Sequence, residues 1–89
     1  MVYILQSVKN KRYYIGSTED INRRFAEHNK KLVKATMYLV PLELKAKIVC
    51  RTISDARKAE YRLKRYKSRK ILERVIKDRT FPWQHNTGL

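Results

Sequence analysis

Residues 2–16 read VYILQSVKNKRYYIG, and this stretch decides the fold. A β-rich aliphatic segment over residues 2–8 is followed by a polar interruption and then by a second apolar segment. Two strand-like segments joined by a short polar connection are typical of a β-hairpin, with Asn10 as a turn residue and Gly16 ending the second strand. The chain is therefore predicted to begin with two antiparallel strands.

The rest of the chain predicts three helices and one more strand. A helix is predicted from Glu19 to Lys30, after a run of side chains that accept hydrogen bonds from the free N–H groups of a helix start. Residues 31–41 lack a period and predict a loop, whereas residues 42–52 alternate as a long strand with one buried face does. Ser54 and Ser68 are predicted to cap two further helices.

The resulting order, β-β-α-β-α-α, predicts the fold class. Three antiparallel strands flanked by helices is the simplest arrangement of these elements, so we expect an α/β domain of the α+β type. At 89 residues the chain has room for one modest core. We expect this domain to span residues 1–78, followed by a C-terminal tail at residues 79–89 that either folds back through Phe81 and Trp83 or frays.

Two features bear on the location of the protein. No apolar run approaches the roughly 18 residues that a membrane-spanning helix requires. Met1 leads directly into a strand-like segment, so the sequence shows no signal peptide. The sequence therefore predicts a cytoplasmic protein.

The charge of the chain indicates a polyanionic partner. Twenty-two Lys and Arg residues against eight Asp and Glu give a formal net charge of +14, which favours nucleic-acid binding that weakens with salt. Charge alone does not separate DNA from RNA, and a ribosomal protein or a basic surface without a specific partner would show the same balance. The cations predicted to contact the nucleic-acid backbone include Lys34, Lys64, Lys67 and Arg69.

The first predicted helix carries two adjacent arginines with different expected positions. Ile21, Phe25 and His28 lie at i, i+4 and i+7 and mark one face of this helix. Arg24 lies beside that face, whereas Arg23 falls elsewhere on the helix. We therefore expect Arg24 to project toward the sheet edge and Arg23 to meet solvent.

Together these residues resemble the GIY-YIG nuclease superfamily, and specifically its small single-domain members. The resemblance covers roughly residues 1–76. Some relatives have a lysine at position 17, where this chain has Ser17. The matching residues are Val2-Tyr3-Ile4, Tyr14-Ile15-Gly16, Ser17-Thr18, Asp20, Arg23-Arg24, Glu27-His28-Asn29, Lys34-Ala35-Thr36, Pro41-Leu42, Ala59-Glu60, Leu63-Lys64 and Lys67-Ser68-Arg69.

The resemblance implies hydrolysis of phosphodiester bonds with one divalent ion, Mg2+ or Mn2+. Tyr14 or Tyr3 would activate the attacking water, which requires a tyrosinate-like state. Arg24 would hold the scissile phosphate, and His28 would transfer a proton or contact the phosphate. Glu60 would hold the metal.

Glu60 has two interpretations. A glutamate that is surrounded by lysines and arginines on a helix can simply pair with its neighbours in solvent. However, Glu60 shares a face with Ala56 and Leu63, which should turn inward, and an inward carboxylate next to a phosphate site suits Mg2+. The second interpretation is favoured.

Three functions compete at this point. The favoured one is a DNA endonuclease directed by substrate structure, strand ends or a protein partner, since no recognition domain is attached; RNA is not excluded and the oligomeric state stays open. The alternative is a non-catalytic nucleic-acid-binding module that keeps the nuclease fold. A basic amphipathic helix on an acidic membrane is disfavoured because one core uses the apolar positions. We therefore expect no membrane partner.

Overall fold

The structure of the protein is a computed structural model that describes residues 1–84, so residues 85–89 of the predicted tail lie outside the described part. Its order, β-β-α-β-α-α, and its three-stranded antiparallel sheet confirm the predicted fold class. No helix within residues 1–84 is long and apolar enough to cross a membrane. The elements are β1 (Val2–Ser7), β2 (Tyr13–Ser17), α1 (Ile21–Asn29), β3 (Leu42–Ile48), α2 (Ile53–Arg65) and α3 (Arg69–Asp78).

The sheet has the order β2-β1-β3, with β1 antiparallel to both neighbours. In the hairpin turn the Asn10 side chain accepts a hydrogen bond from the backbone N–H two residues on, at 3.0 Å, as expected of a turn residue. The register places Tyr3 opposite Gly16 and Tyr14 opposite Leu5. Because cross-strand partners point to the same side, both tyrosines lie on one face of the sheet.

The central strand β1 is buried on both faces. On one face Tyr3 and Leu5 pack against Ile21 of α1. On the other face Val2 and Ile4 pack against residues of α2 and α3. Burial on both faces explains why β1 is a continuous apolar run rather than an alternating one, and it makes this strand the middle layer between α1 and the other two helices.

The third strand differs from its prediction. It ends at Ile48 rather than at residue 52, and its pairing with β1 shifts register between Ile4 and Leu5. A bulge of this kind reverses the side of the sheet to which the following side chains point. Leu42 therefore packs on the α1 side, whereas Ala46 packs on the opposite side. The strand buries each face in turn, not one face as predicted.

The second helix begins earlier than predicted. Its N-cap is Thr52, whose side chain accepts a hydrogen bond from the Asp55 N–H at 3.0 Å. The expectation that Ser54 is the cap is wrong, because Thr52 already satisfies that orphan N–H and places Ser54 inside the first turn.

The other two caps lie close to their predicted positions. Asp20 caps α1 by accepting a hydrogen bond from the N–H three residues on, at 3.1 Å, so this helix runs from Ile21 to Asn29 rather than from Glu19 to Lys30. Ser68 caps α3, with a corresponding hydrogen bond of 3.2 Å, as predicted. These caps fix where each helix starts relative to the sheet.

The chain after α3 folds back onto the core. Phe81 is buried in the same cluster as Val75, and the Trp83 ring stacks on Phe81 with ring centroids 4.8 Å apart and an interplanar angle of 5°. Of the two behaviours open to the tail, Phe81 and Trp83 therefore adopt the first. The aromatic pair packs on the side of the sheet that α2 and α3 cover, which is the side opposite the two tyrosines.

Gly16 makes room for Tyr3. A Cβ atom added at Gly16 would lie 2.4 Å from both Cζ and the hydroxyl oxygen of Tyr3, which is far closer than such atoms approach. The Tyr3 ring therefore lies directly across the glycine backbone, and the side chain is completely buried. A glycine is required at this position for close approach rather than for turn geometry.

We expect Gly16→Ala to lower the free energy of unfolding by about 1–3 kcal/mol, because the added methyl group displaces the buried Tyr3 ring. In a Tyr3→Leu background, which lacks the contacting ring atoms, the same substitution should cost much less. Urea unfolding of the four proteins forms a double-mutant cycle that measures this coupling. An equal cost in both backgrounds would contradict the steric explanation.

Candidate active site

The Tyr3 hydroxyl is hydrogen bonded to a buried histidine. It lies 2.7 Å from Nε2 of His28, and Nδ1 of His28 lies 2.7 Å from Oγ1 of Thr36. The Thr36 hydroxyl also donates to the Val33 carbonyl oxygen at 3.4 Å. Because the single hydroxyl hydrogen of Thr36 is engaged there, its oxygen accepts from Nδ1–H, which leaves Nε2 to accept from Tyr3. His28 is thus a neutral imidazole with both nitrogens engaged.

Burial keeps both of these groups uncharged. The pKa of His28 is lowered to about 4 by burial and by the positive charge of Arg24, with Glu27 acting in the opposite direction. The pKa of Tyr3 is raised above its ordinary value of 10.0, mainly by burial. Both shifts oppose transfer of the Tyr3 proton to His28. Burial therefore disfavours at Tyr3 the tyrosinate-like state that was expected of Tyr14 or Tyr3.

Arg24 lies next to this hydrogen-bonded pair and faces solvent. Its guanidinium donates to Oε1 of Glu27 at 3.1 Å. Tyr3 and Glu27 both raise the pKa of Arg24, so the guanidinium lies close to both side chains. The Arg24 side chain is 37% exposed, so its remaining N–H groups are available to an anion.

Arg24 borders a polar cleft of ≈ 220 Å³ between the start of α1 and α2. Arg23 is exposed, as predicted, but it also borders this cleft. Ser17, Arg57 and Glu27 line it as well. Because Glu19 also borders the cleft, its lining carries three arginines and two glutamates, a net positive charge that favours an anion.

Tyr14 is the more accessible of the two tyrosines. Its ring centroid lies 6.4 Å from that of Tyr3 and 5.2 Å from that of His28. Nζ of Lys64 lies 5.6 Å from the Tyr14 ring centroid, over the outer edge of β2. The Tyr14 side chain is only half-buried, whereas the Tyr3 side chain is completely buried.

Glu60 reaches the same edge of the sheet from α2. Its Oε1 accepts a hydrogen bond from Ser17 Oγ at 2.6 Å, and its Oε2 accepts one from Lys64 Nζ at 2.6 Å. The negative charge of Glu60 adds to the burial that raises the pKa of Tyr3, so the carboxylate lies within electrostatic range of the tyrosine. Each interpretation of Glu60 therefore has an observation behind it: the carboxylate pairs with a neighbouring lysine, and it faces inward.

The carboxylate of Glu60 is a ligand of the kind that one weakly held divalent ion requires. Residues 1–84 contain no group of three or more His, Cys, Asp or Glu side chains that could hold a metal. Mg2+ commonly binds through one or two carboxylates while it keeps several waters and takes substrate phosphate oxygens. A single half-buried carboxylate beside an anion-binding cleft suits such an ion, and it does not suit a pair of metals.

Three of the four predicted nucleic-acid-binding cations line one groove. Lys64, Lys67 and Arg69 border a groove of ≈ 200 Å³ between β2 and the α2–α3 junction. The Arg69 guanidinium lies 4.8 Å from the centroid of the Tyr13 ring, which borders the same groove. Lys34 lies in the loop between α1 and β3, outside this groove. The basic surface beside Tyr14 therefore extends along the β2 edge.

Sequence reasoning missed two residues of this site. Thr36 belongs to a loop without a period, and its contact with His28 becomes predictable only once the histidine is known to be buried and to need a partner. Ser17 holds Glu60 across 43 positions of sequence. Only the residue type at position 17 could have drawn attention to it, since a lysine there would not donate the same hydrogen bond.

A comparison with protein families confirms the resemblance. The model of the GIY-YIG catalytic domain matches residues 1–80 of the 89-residue chain. No curated protein and no solved structure matches the chain. The match spans all the residues that meet at the β2 edge.

We expect the stability of the protein to fall as the pH drops from 6.5 toward 4. His28 is neutral when folded down to pH about 4, whereas an unfolded imidazole binds a proton below 6.5. Protonation therefore favours the unfolded chain, and at pH 5 this effect amounts to about 2 kcal/mol. Urea unfolding at pH 7 and pH 5 measures the loss.

The control separates His28 from carboxylates that titrate in the same range. His28→Gln should unfold more easily at pH 7 but lose about 2 kcal/mol less than the parent between pH 7 and pH 5. The same pH dependence in His28→Gln and the parent would show that His28 does not titrate as a buried group.

Proposed function

Because the chain belongs to the GIY-YIG family of nuclease-type domains, we propose that it is a metal-dependent DNA endonuclease. One arrangement supports this proposal. Arg24 borders the cleft that Ser17 also lines, and Ser17 donates a hydrogen bond to Glu60. The Lys64 ammonium links Glu60 to Tyr14, because it donates to the carboxylate and lies 5.6 Å from the centroid of the tyrosine ring.

Arg24 is assigned to the scissile phosphate. Its guanidinium is already paired with Glu27 and lies beside the Tyr3 hydroxyl before any substrate arrives. A donor that is already oriented stabilises the charge that develops on the phosphate without a cost of reorganisation during the reaction. Removal of such a donor typically slows the chemical step by about 100–1,000-fold.

Tyr3 and His28 are assigned to positioning rather than to proton transfer. The Tyr3 side chain is completely buried, and its hydroxyl donates to His28 and lies beside Arg24. His28 is completely buried as well, with each nitrogen engaged. Neither group has a free face for a substrate, so together they hold the arginine.

Water activation and metal binding fall to the two remaining residues. The hydroxyl of Tyr14, the accessible tyrosine, is placed to orient the attacking water. Glu60 would hold Mg2+ or Mn2+, and such an ion, when bound, polarises a phosphoryl oxygen and offsets negative charge. Ser17 keeps the Glu60 carboxylate turned toward the β2 edge.

The substrate class follows from the basic groove. Lys64, Lys67 and Arg69 would contact backbone phosphates, which position a nucleic acid without reading its sequence. We propose cleavage directed by DNA structure, by strand ends or by a protein partner. RNA stays a possible substrate, since backbone contacts alone do not separate it from DNA.

The test is cleavage of branched, single-stranded and duplex DNA with Mg2+ or Mn2+, compared with EDTA. We expect metal-dependent cleavage that Glu60→Gln abolishes, while DNA binding stays equal or becomes slightly tighter because one negative charge is lost. Glu73→Gln is the matched control, since Glu73 also pairs at i,i+4, with Arg69, but is exposed on α3.

Two results would contradict the proposal. Absence of cleavage on every substrate, with binding retained, would favour the non-catalytic binding module. An equal loss of cleavage in Glu60→Gln and Glu73→Gln would mean that Glu60 acts as a surface charge.

We also expect Arg24 and Arg23 to behave differently although they are adjacent and chemically identical. Arg24→Ala should lower the cleavage rate at saturating DNA by about two powers of ten or more, because a fixed contact to the transition state is lost. Arg23→Ala should cost only modest DNA affinity, since Arg23 is exposed. Equal loss of turnover in both variants would remove Arg24 from its assigned role.

A further inference from the structure

We propose that Lys64 couples metal binding at Glu60 to nucleic-acid binding. In the free protein its ammonium group occupies the Glu60 oxygen that faces solvent, and a backbone phosphate draws the ammonium away so that a divalent ion can bind there. The inference rests on the proposed function, because it takes Glu60 as the residue that holds the metal.

Both oxygens of the Glu60 carboxylate already accept a hydrogen bond. Oε1 accepts from Ser17 Oγ and Oε2 from Lys64 Nζ, each at 2.6 Å. The two donors differ in mobility. Ser17 is the last residue of β2 and is held by pairing with β1, whereas the Lys64 side chain is 46% exposed on α2. The partner that can leave is therefore Lys64.

An ammonium group and a divalent ion compete for the same oxygen. Both bind a carboxylate through positive charge. Two cations held at one carboxylate oxygen repel each other strongly, even near a protein surface. A metal that coordinates Oε2 must therefore displace Lys64 from its 2.6 Å contact. Without a competing anion this displacement works against metal binding, so the free protein should bind the metal weakly.

A nucleic-acid backbone supplies that anion. Lys64 borders the groove that Lys67 and Arg69 also line, so phosphates bound there lie within its reach. Lysine carries a compact charge on a flexible four-carbon chain, which allows it to exchange one anion for another. The Tyr14 ring, 5.6 Å from Nζ, offers its face to the ammonium between the two anions.

The two binding events then favour each other. A nucleic acid that binds Lys64 frees Glu60 for the metal, and by linkage the metal must strengthen nucleic-acid binding by the same factor. The site would assemble its metal mainly when a substrate is present. At metal concentrations that saturate the protein–nucleic-acid complex, the free protein would stay largely without metal.

The experiment measures Mn2+ binding by electron paramagnetic resonance at fixed ionic strength. Glu60-dependent binding is the difference between each protein and its Glu60→Gln version, which subtracts Mn2+ held by the DNA. The probe is a phosphorothioate-linked duplex, which keeps the backbone charge and resists cleavage. For the parent protein we expect the duplex to increase Mn2+ affinity by about tenfold or more, which corresponds to about 1.4 kcal/mol.

Lys64→Met should separate the two events. Without DNA it should bind Mn2+ about tenfold more tightly than the parent, and the duplex should add little further affinity. Lys67→Met is the matched control. Lys67 lines the same groove as Lys64, but the lysine that pairs with the Glu60 carboxylate is Lys64. It should lose DNA affinity but keep the coupling. Lys64→Gln repeats the test with a polar side chain, and circular dichroism verifies folding of each variant.

The outcomes distinguish this inference from the proposed function. If Mn2+ binding depends on Glu60 but is the same in Lys64→Met, Lys64→Gln and the parent, the inference is overturned and the metal role of Glu60 stands. If Glu60→Gln leaves Mn2+ binding unchanged with and without duplex, the metal assignment fails and the inference fails with it. Equal loss of coupling in Lys67→Met would also overturn it, because general charge would then explain the effect.

Discussion

The buried hydroxyl of Tyr3 is the constraint on which the rest of the structure depends. A hydroxyl without a hydrogen-bond partner in a protein interior costs about 1–3 kcal/mol, so the fold must supply one. It supplies His28, and His28 in turn requires Thr36. The donors in this series of hydrogen bonds point the same way, from Tyr3 through His28 to Thr36, an arrangement in which each hydrogen bond polarises the next. The described residues contain no buried side-chain polar atom without a partner.

This chain of hydrogen bonds joins the fold to the site. The apolar cluster between the sheet and α1 is small, with Tyr3, Leu5, Ile21 and Leu42 as its buried members, so the contact of His28 with Tyr3 is a large part of what orients α1. Arg24 lies one turn before His28 on the same helix and therefore takes its orientation from the same contact. The opposite face of the sheet holds the larger apolar cluster. One face of β1 thus supports stability, while the other positions Arg24, the cation to which we assign phosphate binding.

The parts of the fold that could be predicted from sequence are those that rest on local patterns. The placement of Tyr3 and Tyr14 on one face of the hairpin follows from period and turn residues, and the Ser68 cap follows from residue type at a helix start. The bulge in β3 cannot be predicted, because Leu42 and Ala46 alternate in the sequence in the same way with or without a shift of register. The raised pKa of Tyr3 cannot be predicted either. It depends on burial by the glycine backbone and α1, which no spacing in the sequence encodes.

Charge gives a reason why a single carboxylate could serve as the metal ligand in the proposed function. With a formal net charge of +14, the protein repels a divalent cation and attracts a polyanion. A DNA backbone bound in the groove would reverse the local field, since each phosphate would neutralise one positive charge near the site. Glu60 would then need to contribute only one ligand, because waters and substrate oxygens can complete the coordination of a Mg2+ ion. In this proposal the cations that bind the substrate would discourage a metal from binding before the substrate, and a second carboxylate would weaken that order.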